Sequence, residues 1–217
     1  MGCDIHMYAE VRKDGKWEKA GEVFDNPWYK PDLEIEWNTP KTDEPYCGRN
    51  YDLFAILANV RNGYGFAGVP TGTGFNPIDK PRGLPEDVSK EVKGLSGEWG
   101  LDGHNHSYLL LSELLGYDWE GQATTHYGVF SEEEYVQFKK TGVPGSHAGD
   151  VFGSNVVVVN GDEIFDVPND GKSYHTRASW EETYAQSVGP AFLERTLPAL
   201  KELGHPDDVR IVFWFDN

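Results

Sequence analysis

Residues 3 to 12 read Cys3-Asp4-Ile5-His6-Met7-Tyr8-Ala9-Glu10-Val11-Arg12, and their alternation decides the fold class. Cys3, Ile5, Met7, Ala9 and Val11 point one way, while Asp4, His6, Tyr8, Glu10 and Arg12 point the other, which is the period of a half-buried β-strand. Asp14-Gly15 supplies the positive-φ pair of a tight hairpin, so a second strand is expected to return over 17–24. Far along the chain, Val209-Arg210-Ile211-Val212-Phe213-Trp214-Phe215 is almost continuously apolar. That is the pattern of a central strand covered on both faces, expected beside the first strand.

Working inward, Pro27, Pro31, Pro40 and Pro45 make 25–49 a surface loop, with Trp28, Tyr29 and Trp37 as its anchors. Helical spacing and end signals predict a helix over 51–62, capped by Asn50 and stopped by Gly63. Similar signals predict helices over 108–115 (cap Ser107, stop Gly116), from the Ser131-x-x-Glu134 capping box to Lys140, and over 190–203. Further strands are expected over 155–159 and 174–180. Together these predict one α+β domain spanning 1–217, with a mostly antiparallel sheet, packed helices and a long glycine-rich loop.

The composition narrows the function. A net charge of −17 repels phosphate backbones, so a nucleic-acid partner is disfavoured, and an acidic interaction protein or DNA mimic is the weakest of three functional readings. Two cysteines without a C-x-x-C pair fit a reducing compartment, so a cytoplasmic location is expected. No apolar run approaches a membrane span, and no membrane partner is expected.

The loop over 63–106 holds ten glycines, counting Gly63, and four prolines, with a short helix expected over 86–92. Compact domains seldom carry so long a loop without use. Tyr64, Phe66 and Phe75 offer stacking faces, and Arg61 and Arg82 offer forked donors, a set suited to a small anionic or nucleotide-like ligand. His175, Arg177 and Ser179 would extend that set as one strand-face row. The plainer alternative is that these aromatics fill the core and the arginines pair with acids. Gly63-Tyr64-Gly65-Phe66-Ala67-Gly68 matches G-x-G-x-x-G formally but follows a helix, which reverses the context a dinucleotide site needs.

Two clusters carry the candidate chemistry. Asp4 and His6 share a strand face, and His104 and His106 flank Asn105 ahead of an expected helix. If folding joins them, Asp4, His6, His104 and His106 offer the mixed nitrogen and oxygen donors that zinc, manganese or iron accepts, and a bound water becomes a nucleophile. The alternative is ordinary hydrogen bonding and turn chemistry. Asp-x-His followed by Gly-His-x-His is similar to part of the calcineurin-like metallophosphoesterase pattern, without its intervening Gly-Asp-x-x-Asp or Gly-Asn-His-Asp/Glu. His126 and His147 fall in segments whose role the sequence leaves open, and His205 sits in a Pro-containing turn.

Met1-Gly2-Cys3-Asp4-Ile5-His6, the helix after Asn50, Gly74-Phe75-Asn76-Pro77-Ile78, Pro81-Arg82-Gly83-Leu84-Pro85, His106-Ser107 and the terminal Val-Phe-Trp-Phe-Asp-Asn together resemble uncharacterised bacteriophage and bacterial proteins that begin with this hexapeptide. The resemblance implies a phage-related setting in a host cytoplasm and carries no activity with it. The residues themselves suggest a metal-assisted hydrolase or phosphoesterase first, with Arg82 contacting the anion. A non-catalytic protein that sequesters a small ligand or host factor comes second.

Overall fold

In the computed structural model, which describes residues 2–36 and 38–216, the alternating stretch forms β1 (Asp4–Lys13). Asp14 and Gly15 turn with φ of 49° and 77°, and β2 (Lys16–Lys19) returns against it. The expected strand over 17–24 stops early, because the chain leaves the sheet before Phe24. Phe24 begins β3 (Phe24–Asp25), which pairs instead with β4 (Lys41–Thr42). Trp28 and Tyr29 do not anchor this loop by burial, being 65% and 38% exposed, although the Trp28 indole N–H donates to Cys47 Sγ. Its tie is Asn38, whose amide donates to the carbonyls of Lys30 and Leu33; Trp37 lies outside the described residues.

α1 (Tyr51–Ala58) starts where expected, with the Asn50 side chain accepting from Leu53 N. It ends before the predicted Gly63, because Asn59 takes the left-handed conformation (φ 56°) and donates back to Ala55 O. In the glycine-rich segment, α2 (Lys90–Glu98) begins at the Ser89 cap, later than the expected 86–92.

The expected helix over 108–115 is corrected. His104, Asn105 and His106 open a strand, β5 (His104–Leu110), and only α3 (Leu111–Gly116) is helical. A short apolar run cannot be assigned by period alone, and here a strand partner was available. Tyr108, Leu109 and Leu110 lie opposite Val212, Ile211 and Arg210. Ser107 is no cap; it is fully buried in the strand, and its hydroxyl accepts from Arg82 N.

The remaining order is β6 (Ala123–Phe130), α4 (Glu132–Thr141) with its Ser131–Glu134 capping box, β7 (Val156–Asn160), β8 (Ser173–Thr183) and α5 (Tyr184–Val188). A π-turn (Ala191–Thr196) runs into α6 (Leu197–Lys201), and β9 (Val209–Asp216) follows.

The main sheet has the order β2-β1-β9-β5 and is antiparallel throughout; a second sheet has the order β6-β8-β7, with β7 parallel to β8. The fold is α+β with mainly antiparallel pairing. β9 is central and lies against β1, from Asp4 opposite Asp216 to Val11 opposite Val209. Ile5, Met7, Ala9, Ile211, Phe213 and Phe215 face α1 and the helices after α5. On the opposite face Tyr8, Val212 and Trp214 meet Val92, Leu95 and Trp99 of the α2 region. Much of the glycine-rich segment is therefore a roof over the sheet. Under it, Arg210 and Glu10 form a buried ion pair at 2.7 Å, and Ser89 N donates to the other Glu10 oxygen. A third core, built on Phe130, Trp180, Tyr135 and Ile164, fills one face of the second sheet. Among the described residues no helix is long and apolar enough to cross a membrane.

Candidate functional site

Antiparallel pairing of β1 with β9 and of β9 with β5 brings the start of β1, the end of β9 and the start of β5 to one end of the main sheet. Asp4 N donates to Asp216 Oδ1 at 3.0 Å, and His6 Nε2 lies 3.3 Å from Asp216 Oδ2. Arg49 grips the Asp4 carboxylate with two bonds, Nε to Oδ1 at 2.7 Å and Nη2 to Oδ2 at 2.5 Å. That contact holds the Asp4 carboxyl below its ordinary range. Arg61 lies over the Tyr51 ring at 4.9 Å and donates to Gly65 O. It also bonds the Cys3 thiol, which burial nevertheless pushes above its usual pKa.

The three candidate histidines occupy different surroundings. His6 is held between Trp99 (3.8 Å) and Trp214 (5.9 Å). His106 stacks on Trp214 at 5.7 Å from the β5 side, so the indole stands between these two imidazoles. Burial, and then His104, push the His106 pKa down. His104 lies opposite Phe215 and stacks on its ring, on the sheet face that α1 covers. Asn105, at φ 51°, takes up the bulge that sends the two histidines to opposite faces. The expectation that both rings flank a helix amino end is thus corrected: the flanking element is a strand.

His104 has one further property. Its Nδ1 lies 2.6 Å from Asn105 Oδ1, while its Nε2 is buried without a hydrogen-bond partner. With the amide oxygen as acceptor, Nδ1 carries the proton and Nε2 keeps its lone pair. The Trp214 Nε1 donor is likewise buried and unpartnered. Among the described residues, no three His, Cys, Asp or Glu side chains converge in a metal-holding group. Sequence reasoning named Asp4, His6, His104 and His106 but not Asp216, Arg49 or Glu44. Asp216 could have been found from the pairing of the first and last strands. Glu44, whose carboxyl burial pushes up, accepts from the Tyr8 hydroxyl, and no local sequence signal marks it.

Other candidates fall elsewhere. Arg82 is held by Asp79 at 2.7 Å and by both oxygens of Glu113, so in this conformation its donors are already engaged. Gly63 to Gly74 form a looped hairpin, with Tyr64 bridged to Pro70, that lies along β6 through Tyr127 N to Thr71 O and Thr73 N to Thr125 O. Tyr64 and Phe66 are 52% and 62% exposed on it. Val69 and Pro70 of this hairpin, with Tyr127, Arg177, Ser179 and Asp150, line a cleft of about 370 Å³. The strand row of Arg177 and Ser179 therefore does meet the glycine loop. His175, further along the row, contacts Ser173 Oγ at 3.1 Å.

A second polar constellation joins the two sheets. His126 Nε2 lies 2.9 Å from Ser187 Oγ and 3.6 Å from Glu182 Oε2, with Trp180 stacked on the imidazole. Burial pushes both His126 and His147 down. Asp52, on the first turn of α1, is pushed up to about 7 by burial and then by the Glu182 charge. Glu182 and Ser187 lie five residues apart, but His126 and Asp52 come from distant segments, so the group forms no sequence motif.

Comparison with protein families, curated proteins and solved structures gives no match, so function has to be inferred from these side chains.

Proposed function

We propose that the protein is a metal-assisted hydrolase of a small phosphorylated or nucleotide-like molecule, acting at the end of the main sheet that carries Asp4, His6 and Asp216, with His104 at the same strand ends on the opposite face. The observation that carries the reading is the buried, unpartnered Nε2 of His104 at the same strand ends as two carboxylates. Imidazole nitrogen and carboxylate oxygen are the donor types that zinc, manganese or iron accepts, and such an ion, if held here, would supply an activated water. Asp4 would join only by releasing Arg49, which would free that guanidinium for the substrate phosphate. His6, oriented by Asp216, is the group placed to move a proton. His106, beyond the Trp214 indole, shapes the wall.

The test is elemental analysis of untagged protein, followed by phosphate release from a nucleotide and sugar-phosphate panel with each metal added. Stoichiometric metal that falls away in His104→Ala and Asp4→Asn, together with turnover, is expected. Protein that takes up no metal and turns over nothing would overturn the reading.

A second reading, a non-catalytic small-ligand binder, is favoured by the cleft beside Arg177. Tyr127 offers a ring that is 41% exposed there, and Arg177 is held only by bonds of 3.3 and 3.4 Å to Asp150. Nucleotide recovered unchanged from the protein, and lost in Arg177→Ala, would favour it over hydrolysis.

A further inference from the structure

A cavity of about 660 Å³ lies between the loop that follows β3, the segment 44–48 and the helical turns of 191–199. Its volume falls within the range of about 300–1,000 Å³ typical of small-molecule sites. Phe24, Trp28 and Tyr46 give it aromatic walls, and Cys47, Arg195 and Ala199 complete the lining used here. The walls are tied to one another. Thr196 Oγ1 donates to Pro45 O at 2.7 Å, Trp28 Nε1 donates to Cys47 Sγ at 3.3 Å, and Tyr46 packs edge-on against Phe192. Gly48 leaves the room that Tyr46 needs, since a Cβ there would stand 2.6 Å from its hydroxyl.

Arg195 distinguishes this cavity. Arg12, Arg49, Arg82, Arg177 and Arg210 each form an ion pair, and Arg61 is engaged by Gly65, Tyr51 and Cys3. The Arg195 guanidinium has neither a hydrogen bond nor an ion pair among the described residues, in a chain with 36 acidic side chains. None of the three acids that line the cavity, Asp25, Glu44 and Glu194, forms an ion pair with it among the described residues. Asp25 is taken by Lys41 at 2.6 Å, and Glu44 accepts from Tyr8. Glu194, its neighbour on the turn, is exposed, as is Arg195 itself. The Arg195 charge is nevertheless close enough to act on the Tyr46 hydroxyl and the Cys47 thiol, both of which burial keeps in their neutral forms. An unpaired guanidinium above uncharged aromatic walls matches a planar apolar ligand with one anionic end.

We infer that this cavity is a binding site for a small aromatic anion, a carboxylate or phosphate monoester, whose ring lies against Trp28 and Tyr46 and whose charge is met by Arg195. The site adjoins the sheet-end cluster, since Glu44 lines it and Gly48 precedes Arg49, but does not depend on the hydrolase reading.

The test uses the full chain and follows the Trp28 indole N–H by NMR, assigned through Trp28→Phe, during titration with phenyl phosphate, benzoate and benzyl alcohol. Saturable shifts with at least one anion are expected, with the neutral alcohol at least tenfold weaker. Arg195→Ala should weaken anion binding about tenfold or more, and Arg195→Lys should keep part of it. Because Arg195 has no partner to lose, the variant's remaining spectrum should be unchanged. Equal response to the neutral and anionic probes, no response to any probe, or unchanged anion binding in Arg195→Ala would overturn the assignment.

Discussion

Replacing Asp52 by Asn tests the polar junction between the two sheets. Asp52 is half-buried, accepts no hydrogen bond among the described residues, and sits near Glu182 with a pKa of about 7 against an ordinary 3.8. A carboxyl raised in the folded state binds its proton more tightly there than in the unfolded chain. Stability is therefore fully present below the unfolded value and is lost as pH rises through 7. At about 1.36 kcal/mol per pH unit the gap corresponds to roughly 4 kcal/mol. Partial solvent access and the position of Asp52 in the first turn of α1, where the helix dipole favours negative charge, reduce that to about 2 kcal/mol. The variant cannot ionise, so its stability relative to the parent should rise by about 1–2 kcal/mol between pH 4.5 and pH 8. In a chain of this size that is roughly 2–8 °C in Tm. Urea denaturation at the two pH values measures the difference directly. A gap that does not change with pH, or one that grows toward acid, would refute the proposed burial of charge beside Glu182.

Three further outcomes follow from the packing. Arg210→Met should cost about 3–5 kcal/mol, because it leaves Glu10 charged and buried without its partner; chemical denaturation reads this, and the double change with Glu10→Leu should recover much of the loss. Asn59→Ala should lose about 1 kcal/mol, since alanine is strained at φ 56°, whereas Asn59→Gly should lose less, in the same assay. Gly72→Ala places a Cβ 2.7 Å from the Thr125 carbonyl and should cost about 1–3 kcal/mol. Amide exchange should show the hairpin over 63–74 lifting from β6 before global unfolding.

The elements legible in sequence were those whose signal is local. Alternation marked β1, the apolar run marked β9, and the Asn50 and Ser131 caps marked the starts of α1 and α4. The run Tyr108 to Leu111 was misread because four adjacent apolar residues fit either period, and only pairing with β9 makes three of them strand. The early end of α1 was missed because a single asparagine in the left-handed conformation ends the helix where glycine was the expected stop. The same limit governs the sites. Asp4, His6 and His104 carry visible donor chemistry, but whether they meet depends on strand order and on one bulge residue. Arg49 reaches Asp4 from 45 residues away, and His126 reaches Ser187 from 61. Such contacts leave no periodicity to detect. Arg82 looked available in sequence because Glu113, its partner, lies 31 positions on.

The antiparallel seam between β1 and β9 couples residues about 200 positions apart. Closing so distant a contact is entropically slow, and topologies rich in such contacts fold slowly. During synthesis β1 emerges about 200 residues before β9, with its apolar face exposed, and can complete its sheet only after β9 has left the ribosome. Until then Ile5, Met7 and Ala9 present a sticky surface of the kind that chaperones recognise. Truncation of the last eight described residues should therefore yield aggregates instead of a smaller folded domain.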